Sequence, residues 1–296
     1  MSDRITTTLK IHGGKHYLAK KIVAMMPTRK SPDGYIHYVE PYFGGGSVLL
    51  ANDPEGISEA VSDVNLSLTN FWRVLANTES FAKFHRVVEA MPFSEHEYSE
   101  CVELELIFDR IAKHCDKNKL GPDVVMAVAF FVSCRQSLAG RMKGFTGITK
   151  TRTRRGMNNE VSAWLSAVEG LPAVHERMKR VLILNRDGIR TIESQDGHGT
   201  LVFCDPPYLH ETRETTGEYK HEMSRDDHVK LLETLAGIKG RFMLCGYPSD
   251  LYEEFERKHN WRHVDFPTPN HASGAKKKKI MTERLWMNYG ENGERL

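Results

Sequence analysis

A disulfide framework has little to build on in this sequence. Its five cysteines, Cys101, Cys115, Cys134, Cys204 and Cys245, are scattered, odd in number and without a CxxC pair, which also removes the common zinc knuckle. No apolar run approaches the ~20 residues that a membrane-spanning helix needs. The first residues, MSDRITTTLK, lack the apolar stretch of a secretory signal. The expectation is a cytoplasmic protein with reduced thiols and no membrane partner. An excess of one charge is missing as well: 41 Lys and Arg against 39 Asp and Glu leave a net charge of +2. A nucleic-acid surface, if present, must come from local clusters rather than bulk charge. Histidines such as His210, His221 and His228 lack partners at ligand spacing, so no metal is expected. What is there, 40% hydrophobic and 27% charged residues over 296 positions, fits one large folded domain or one domain with a sizeable insertion.

The most informative stretch is LVFCDPPYL, residues 201 to 209. Leu201, Val202 and Phe203 read as a buried strand, and two prolines then stop the ladder and force Asp205 into an extended or turn conformation. The segment is either a sharp turn after a core strand or a device that presents a carboxylate, the Pro206 carbonyl and the Tyr208 ring at the strand's C-terminal edge. Open α/β sheets bind ligands at that edge, and such a trio suits a flat, amine-bearing molecule. Upstream, KIHGGKHYLAKKIVAMMP, residues 10 to 27, is a glycine turn followed by a helix, with Lys15 near the helix N-terminus. A cation there opposes the helix dipole, so Lys15 is either simply exposed or paired with a carboxylate or ligand. YVEPYFGGGSVLL, residues 38 to 50, is strand, glycine loop and helix start. EAVSDVN, residues 59 to 65, is a second strand ending in Asp63, nineteen positions beyond Gly44. That offset is close to the ~20 residues at which an acid meets ribose hydroxyls in nucleotide-binding sheets. The loop is neither GxGxxG nor GxxxxGK[ST], which argues against a dinucleotide or ATP.

From Asn65 to about residue 170 strand signals nearly vanish and four amphipathic or buried helices follow, several preceded by Ser, Asn or Asp caps. The end of this region, residues 141 to 160, is basic. Arg141, Lys143, Lys150, Arg152, Arg154 and Arg155 either contact phosphates and base edges or form a solvated loop. Strands then resume, giving seven at residues 38 to 41, 59 to 62, 181 to 185, 200 to 204, 241 to 245, 261 to 266 and 280 to 288. This predicts a doubly wound α/β sheet, with the last two strands close enough to pair antiparallel. A polar excursion over residues 209 to 228 reads as a lid or clamp, Ser224 as a helix N-cap, and Lys276 to Lys279 as a solvated loop or phosphate contact.

The order GGK, EPYFGGGS, SDVN, helical insertion and CDPPY, from about Ile11 to Tyr289, resembles the D12 class of Dam-like adenine-specific DNA methyltransferases. DPPY alone also marks enzymes acting on other planar nitrogens, in RNA or in protein amides. The four motifs in this order are far more specific. The resemblance implies a seven-stranded S-adenosylmethionine-dependent methyltransferase sheet in two segments, residues 1–70 and 171–296, around an inserted helical target-recognition domain at 71–170. It implies S-adenosylmethionine as methyl donor and double-stranded DNA as partner, with GATC a family-level expectation for the target. Ile11, Lys15 and Tyr17 would border the cofactor, Phe43, Gly44 and Gly46 would line its loop, and Asp63 would hold its ribose. Asp205, Pro206, Pro207 and Tyr208 would form the catalytic motif, with Asp205 also beside the cofactor. One departure stands out: Ile11 occupies a position where family members often carry an aromatic.

Overall fold

The structure is a computed structural model, and it describes residues 5–11, 13–29, 34–112, 121–146, 150–212, 221–269 and 280–296. In chain order the strands are β1 (His37–Glu40), β2 (Ser58–Ser62), a short pair β3 (Thr153–Arg154) and β4 (Met157–Asn158), then β5 (Leu182–Leu184), β6 (Thr200–Cys204), β7 (Arg241–Gly246), β8 (Arg262–Pro269) and β9 (Ile280–Met287). The helices are α1 (Ala19–Ala24), α2 (Ser47–Ala51), α3 (Leu66–Ala76), α4 (Thr78–Ala90), α5 (Glu95–Ala112), α6 (Val124–Arg135), α7 (Asn159–Glu169), α8 (Leu171–Met178), α9 (Gly188–Gln195), α10 (Arg225–Gly237) and α11 (Asp250–His259).

All seven expected strands are present in one sheet of order β5-β2-β1-β6-β7-β9-β8. β1 runs parallel to β2 and β6, β6 parallel to β7, and β9 antiparallel to both β7 and β8. Every residue of β6 and β7 is buried, which is why these strands read as unbroken apolar runs rather than alternating ones. The chain leaves β1 towards β2 on one side and β6 towards β7 on the other. The boundary between β1 and β6 is therefore the topological switch point, where ligands of open α/β sheets bind.

Two compact units make up the chain. One comprises Met1–Ala24, Gly44–Asp53 and Asp63–Asn185; the other comprises Met25–Phe43, Pro54–Ser62 and Arg186–Leu296. The first contains the helices α3 to α8. Side-chain oxygens of Asn65, Asn77, Asp123 and Asn158 accept backbone N–H groups at the starts of α3, α4, α6 and α7, so the polar residues before each apolar run act as N-caps. The core of this unit is aromatic: Phe71 stacks on Phe131 with centroids 5.8 Å apart, and Phe84 and Trp164 pack around them. In the second unit Val39, Val202, Leu231, Phe242, Leu244 and Trp286 share one core beneath the sheet. α10 opens on a full capping box at Ser224 and Asp227, and α11 on Ser249.

The pair β3 and β4 was not expected from the sequence. It is a hairpin in which Thr153 faces Asn158 and Arg154 faces Met157. The two residues between have positive φ, 54° at Arg155 and 75° at Gly156, the combination a two-residue hairpin turn with the twist of its strands requires. Strands of two residues are too short to show a period, which hides them from sequence patterns.

Candidate active site

In the first unit the glycine loop and the acid of the second strand are joined. Gly44 and Gly46 have φ of 50° and 66°, and a Cβ at Gly44 would meet nothing within 4 Å. The demand at Gly44 is thus conformational, and its surface leaves room for a close approach. The Gly44 N–H donates to Asp63 Oδ2 at 3.1 Å, and Asp63 Oδ1 accepts from the Asn65 N–H at 2.9 Å. Trp72 Nε1 donates to the Gly44 carbonyl at 3.0 Å, pinning the loop from the other side. Burial pushes the Asp63 carboxyl above its usual range, opposed by the backbone N–H groups of Asn65, Gly44 and Val64, which favour the charged form. Each carboxylate oxygen keeps accepting capacity beyond these bonds, which is what a vicinal diol needs.

The remaining residues expected on this side divide. Lys15 is buried, and its Nζ donates to the Gly13 carbonyl at 2.9 Å while its own carbonyl accepts from Leu18 and Ala19 at the entry to α1. Ile11 is half-buried, and its carbonyl accepts from Gly14. Tyr17 is 44% exposed, with its ring edge-on to His16. Sequence reasoning missed Asn185, whose side-chain amide donates to the Asp63 carbonyl at 2.7 Å and to Thr69 Oγ1 at 3.2 Å. It also missed Trp72. The polar Asn185 directly after the strand LIL was a signal for the first; nothing local marked the second.

In the second unit Phe43 is buried, its N–H donating to Ser62 at 3.0 Å. β6 stops at Cys204, and Asp205, Pro206, Pro207 and Tyr208 follow at its C-terminal edge as expected, beside the switch point. Asp205 and Pro207 are half-buried, whereas Pro206 and Tyr208 are buried. Burial, and then the carboxylates of Asp205 and Glu40, push the Cys204 thiol well up, so it stays protonated and unreactive. The Tyr208 hydroxyl donates to Glu283 Oε2 on β9 at 3.4 Å, and its ring meets Tyr247 nearly at right angles, centroids 4.8 Å apart. Tyr247 follows the last residue of β7 and borders an open cleft of about 370 Å³ with Glu211, Pro248, Asp250, Met281 and Thr282.

All six basic residues singled out from the sequence are exposed and lie in the first unit. Arg152 and Arg154, two apart along β3 and its lead-in, point to one face of the hairpin. Arg155, in the turn, is engaged otherwise: its guanidinium makes two bonds of 2.9 Å to Glu169 and one of 3.2 Å to Ser166 on α7. The stretches 213–220 and 276–279, read as part of a lid and as a lysine loop, lie outside the described residues, as do 147–149 of the basic segment. Among the described residues no group of three or more His, Cys, Asp or Glu could hold a metal ion, and no helix is long and apolar enough to cross a membrane.

Residues 12–264 match the sequence model of the D12 class of N6 adenine-specific DNA methyltransferases. Among characterised proteins, the type II methyltransferase M.MjaIII of Methanocaldococcus jannaschii is 25% identical over 295 residues, covering 95% of this chain and 98% of the relative. The type II methyltransferase M1.LlaDCHI of Lactococcus lactis subsp. cremoris is 26% identical over 291 residues, covering 94% and 93%.

Proposed function

The chain belongs to the D12 class of N6 adenine-specific DNA methyltransferases, and from that premise we propose how its residues divide the work of transferring a methyl group from S-adenosylmethionine to adenine N6 in DNA. The residues on the cofactor side fit the donor. Asp63, tied to Gly44 and Asn65 through one bond on each oxygen, accepts the two ribose hydroxyls. Gly44 and Gly46 let the nucleoside approach the backbone, and Ile11, Lys15, Tyr17 and Phe43 border it. When bound, S-adenosylmethionine supplies a methyl carbon on a positively charged sulfur, a good leaving group that needs no metal.

The rest is positioning. The Asp205 carboxylate and the Pro206 carbonyl accept hydrogen bonds from the exocyclic amine, which keeps the N6 lone pair directed at the methyl carbon. They also stabilise the positive charge that grows on nitrogen as the new N–C bond forms and the C–S bond breaks. In this reading Asp205 serves the donor as well as the base, Pro207 holds the turn, and Tyr208 packs against the base. The observation that carries this reading is Asp205 at the first position beyond buried β6, at the switch point of the sheet. An adenine stacked in a duplex cannot reach such an edge, so the base is flipped out at a cost of a few kcal/mol.

Residues 71–170 form the target-recognition insertion on double-stranded DNA. Its hairpin is a two-stranded ribbon, a shape the major groove admits. Arg152 and Arg154 on one face, with Arg141, Lys143 and Lys150, supply the phosphate and base contacts, whereas Arg155 braces the turn through Glu169. We place the activity in the cytoplasm, in keeping with five scattered cysteines that include no CxxC pair.

The test is transfer of labelled methyl from S-adenosylmethionine to adenine in unmethylated duplex DNA. The expected result is label on N6 with the wild-type chain and none with Asp205→Ala, which still binds S-adenosylmethionine by calorimetry. Label found only on RNA or protein would refute the substrate, and wild-type turnover by Asp205→Ala would refute the role.

A further inference from the structure

We infer that Tyr247 forms a second aromatic wall of the target-base site, with the cleft beside it taking the flipped adenine. This rests on the methyltransferase reading and deepens it. Tyr208, the ring supplied by the catalytic motif, is only 6% exposed. Its hydroxyl is held by Glu283 and its ring lies against Tyr247, so much of its surface is already covered by protein. Tyr247 is half-exposed and borders the cleft of about 370 Å³, within the size range of small-ligand sites. The two rings stand 74° apart, so a base lying flat on one meets the other edge to face. Both arrangements are favourable for aromatic groups.

Tyr247 is presented rigidly. A Cβ at Gly246 before it would lie 3.1 Å from Trp286. Pro248 after it restricts its backbone to extended conformations, and Ser249 then caps α11. The register supports the grouping: Gly246 pairs with Arg284, so Tyr247, just beyond the end of β7, comes next to Glu283 of β9. The chemistry of the rim selects a base over a phosphate. Glu211 and Asp250 border the cleft, and their carboxylates repel a phosphodiester but not an uncharged base.

The experiment compares wild type, Tyr247→Phe, Tyr247→Leu and Tyr247→Ala, each as the full chain, with S-adenosylmethionine and unmethylated genomic DNA. Base–aromatic stacking measured by alanine substitution corresponds to a loss of roughly 5- to 150-fold, and that loss is expected in kcat/KM for DNA with Tyr247→Ala and Tyr247→Leu. Tyr247→Phe is expected within about two-fold of wild type, and S-adenosylmethionine affinity unchanged within about two-fold in all three. The leucine keeps apolar bulk without a ring, so a loss there in a chain with unaltered thermal unfolding reports the ring rather than the fold. Full activity of Tyr247→Leu, a Tyr247→Phe as impaired as alanine, or a parallel fall in cofactor affinity would each overturn the inference. Failure of the methyltransferase reading looks different: the wild-type chain itself would leave adenine unlabelled.

Discussion

Asp63→Asn separates what this acid does for the glycine loop from the donor-holding role we propose for it. The native carboxylate accepts from Gly44 at 3.1 Å on Oδ2 and from Asn65 at 2.9 Å on Oδ1. An asparagine keeps one acceptor and turns an NH2 group towards the other N–H, so one bond is lost and two donors face each other. A hydrogen bond to a charged group contributes about 1.5–3 kcal/mol. Burial already penalises the charge at this position, and asparagine removes that penalty, so the net loss of stability is about 1 kcal/mol. For a chain of this size that corresponds to roughly 2–4 °C in the unfolding midpoint. Donor affinity suffers more. Loss of a charged acceptor for the ribose hydroxyls, at about 1.5–3 kcal/mol, weakens S-adenosylmethionine binding by roughly 10- to 150-fold.

The pH dependence supplies a second signature of the same residue. Because burial raises the Asp63 pKa, the accepting, charged form is lost on acidification at a higher pH than for an ordinary aspartate. Wild-type affinity for S-adenosylmethionine therefore falls as pH is lowered through that raised value, while the affinity of Asp63→Asn stays flat. The stability term has the opposite sign: a raised folded pKa means the folded chain binds the proton more tightly than the unfolded one, so this group's contribution improves as pH falls through the folded pKa towards the unfolded value. Calorimetric titration of wild type and variant in steps from neutral pH down to the onset of acid unfolding, with thermal unfolding alongside, reads both quantities. Equal affinities within two-fold, or parallel pH slopes, would refute the argument.

Gly188→Ala tests the packing at the start of α9, where a Cβ would lie 2.4 Å from Tyr42 Cζ and 2.7 Å from its hydroxyl oxygen. Overpacking of this kind costs about 1–3 kcal/mol; chemical denaturation should show it, and Tyr42→Ala in the same chain should relieve part of it, whereas additive losses would refute the clash. On the hairpin, Arg152→Ala and Arg154→Ala are each expected to weaken DNA binding, and for each that contacts a phosphate the slope of log K against log salt should flatten by about one. Arg155→Ala should leave that slope unchanged because Glu169 holds its guanidinium; a loss equal to that of Arg154→Ala would show that Arg155 exchanges Glu169 for DNA.

The local grammar of the chain was legible without a structure. Buried runs such as LVFC and RFMLCG announced central strands because both their faces meet protein, and Ser224 and the Ser, Asn and Asp residues before the inserted helices announced helix starts because a short polar side chain there satisfies the first free N–H groups. The placement of the glycine loop, of Asp63 after the second strand and of Asp205 to Tyr208 beyond β6 could be read for the same reason: each motif is a few consecutive residues whose conformation depends on their own backbone. Contacts between distant positions were not legible. Tyr208 and Glu283 are 75 positions apart and Trp72 is 28 from Gly44; they meet because β9 inserts between β7 and β8 and because α3 packs its indole against the loop. The engagement of Arg155 by Glu169 was hidden too, since a basic residue in a turn looks the same in sequence whether its partner is water, a phosphate or a helix fourteen positions on. Periodicity, capping and turn formation are local and so are carried by neighbouring residues. Strand order, the walls of a cleft and the partner of a charge depend on which remote surfaces bury each other, and only the folded chain decides that.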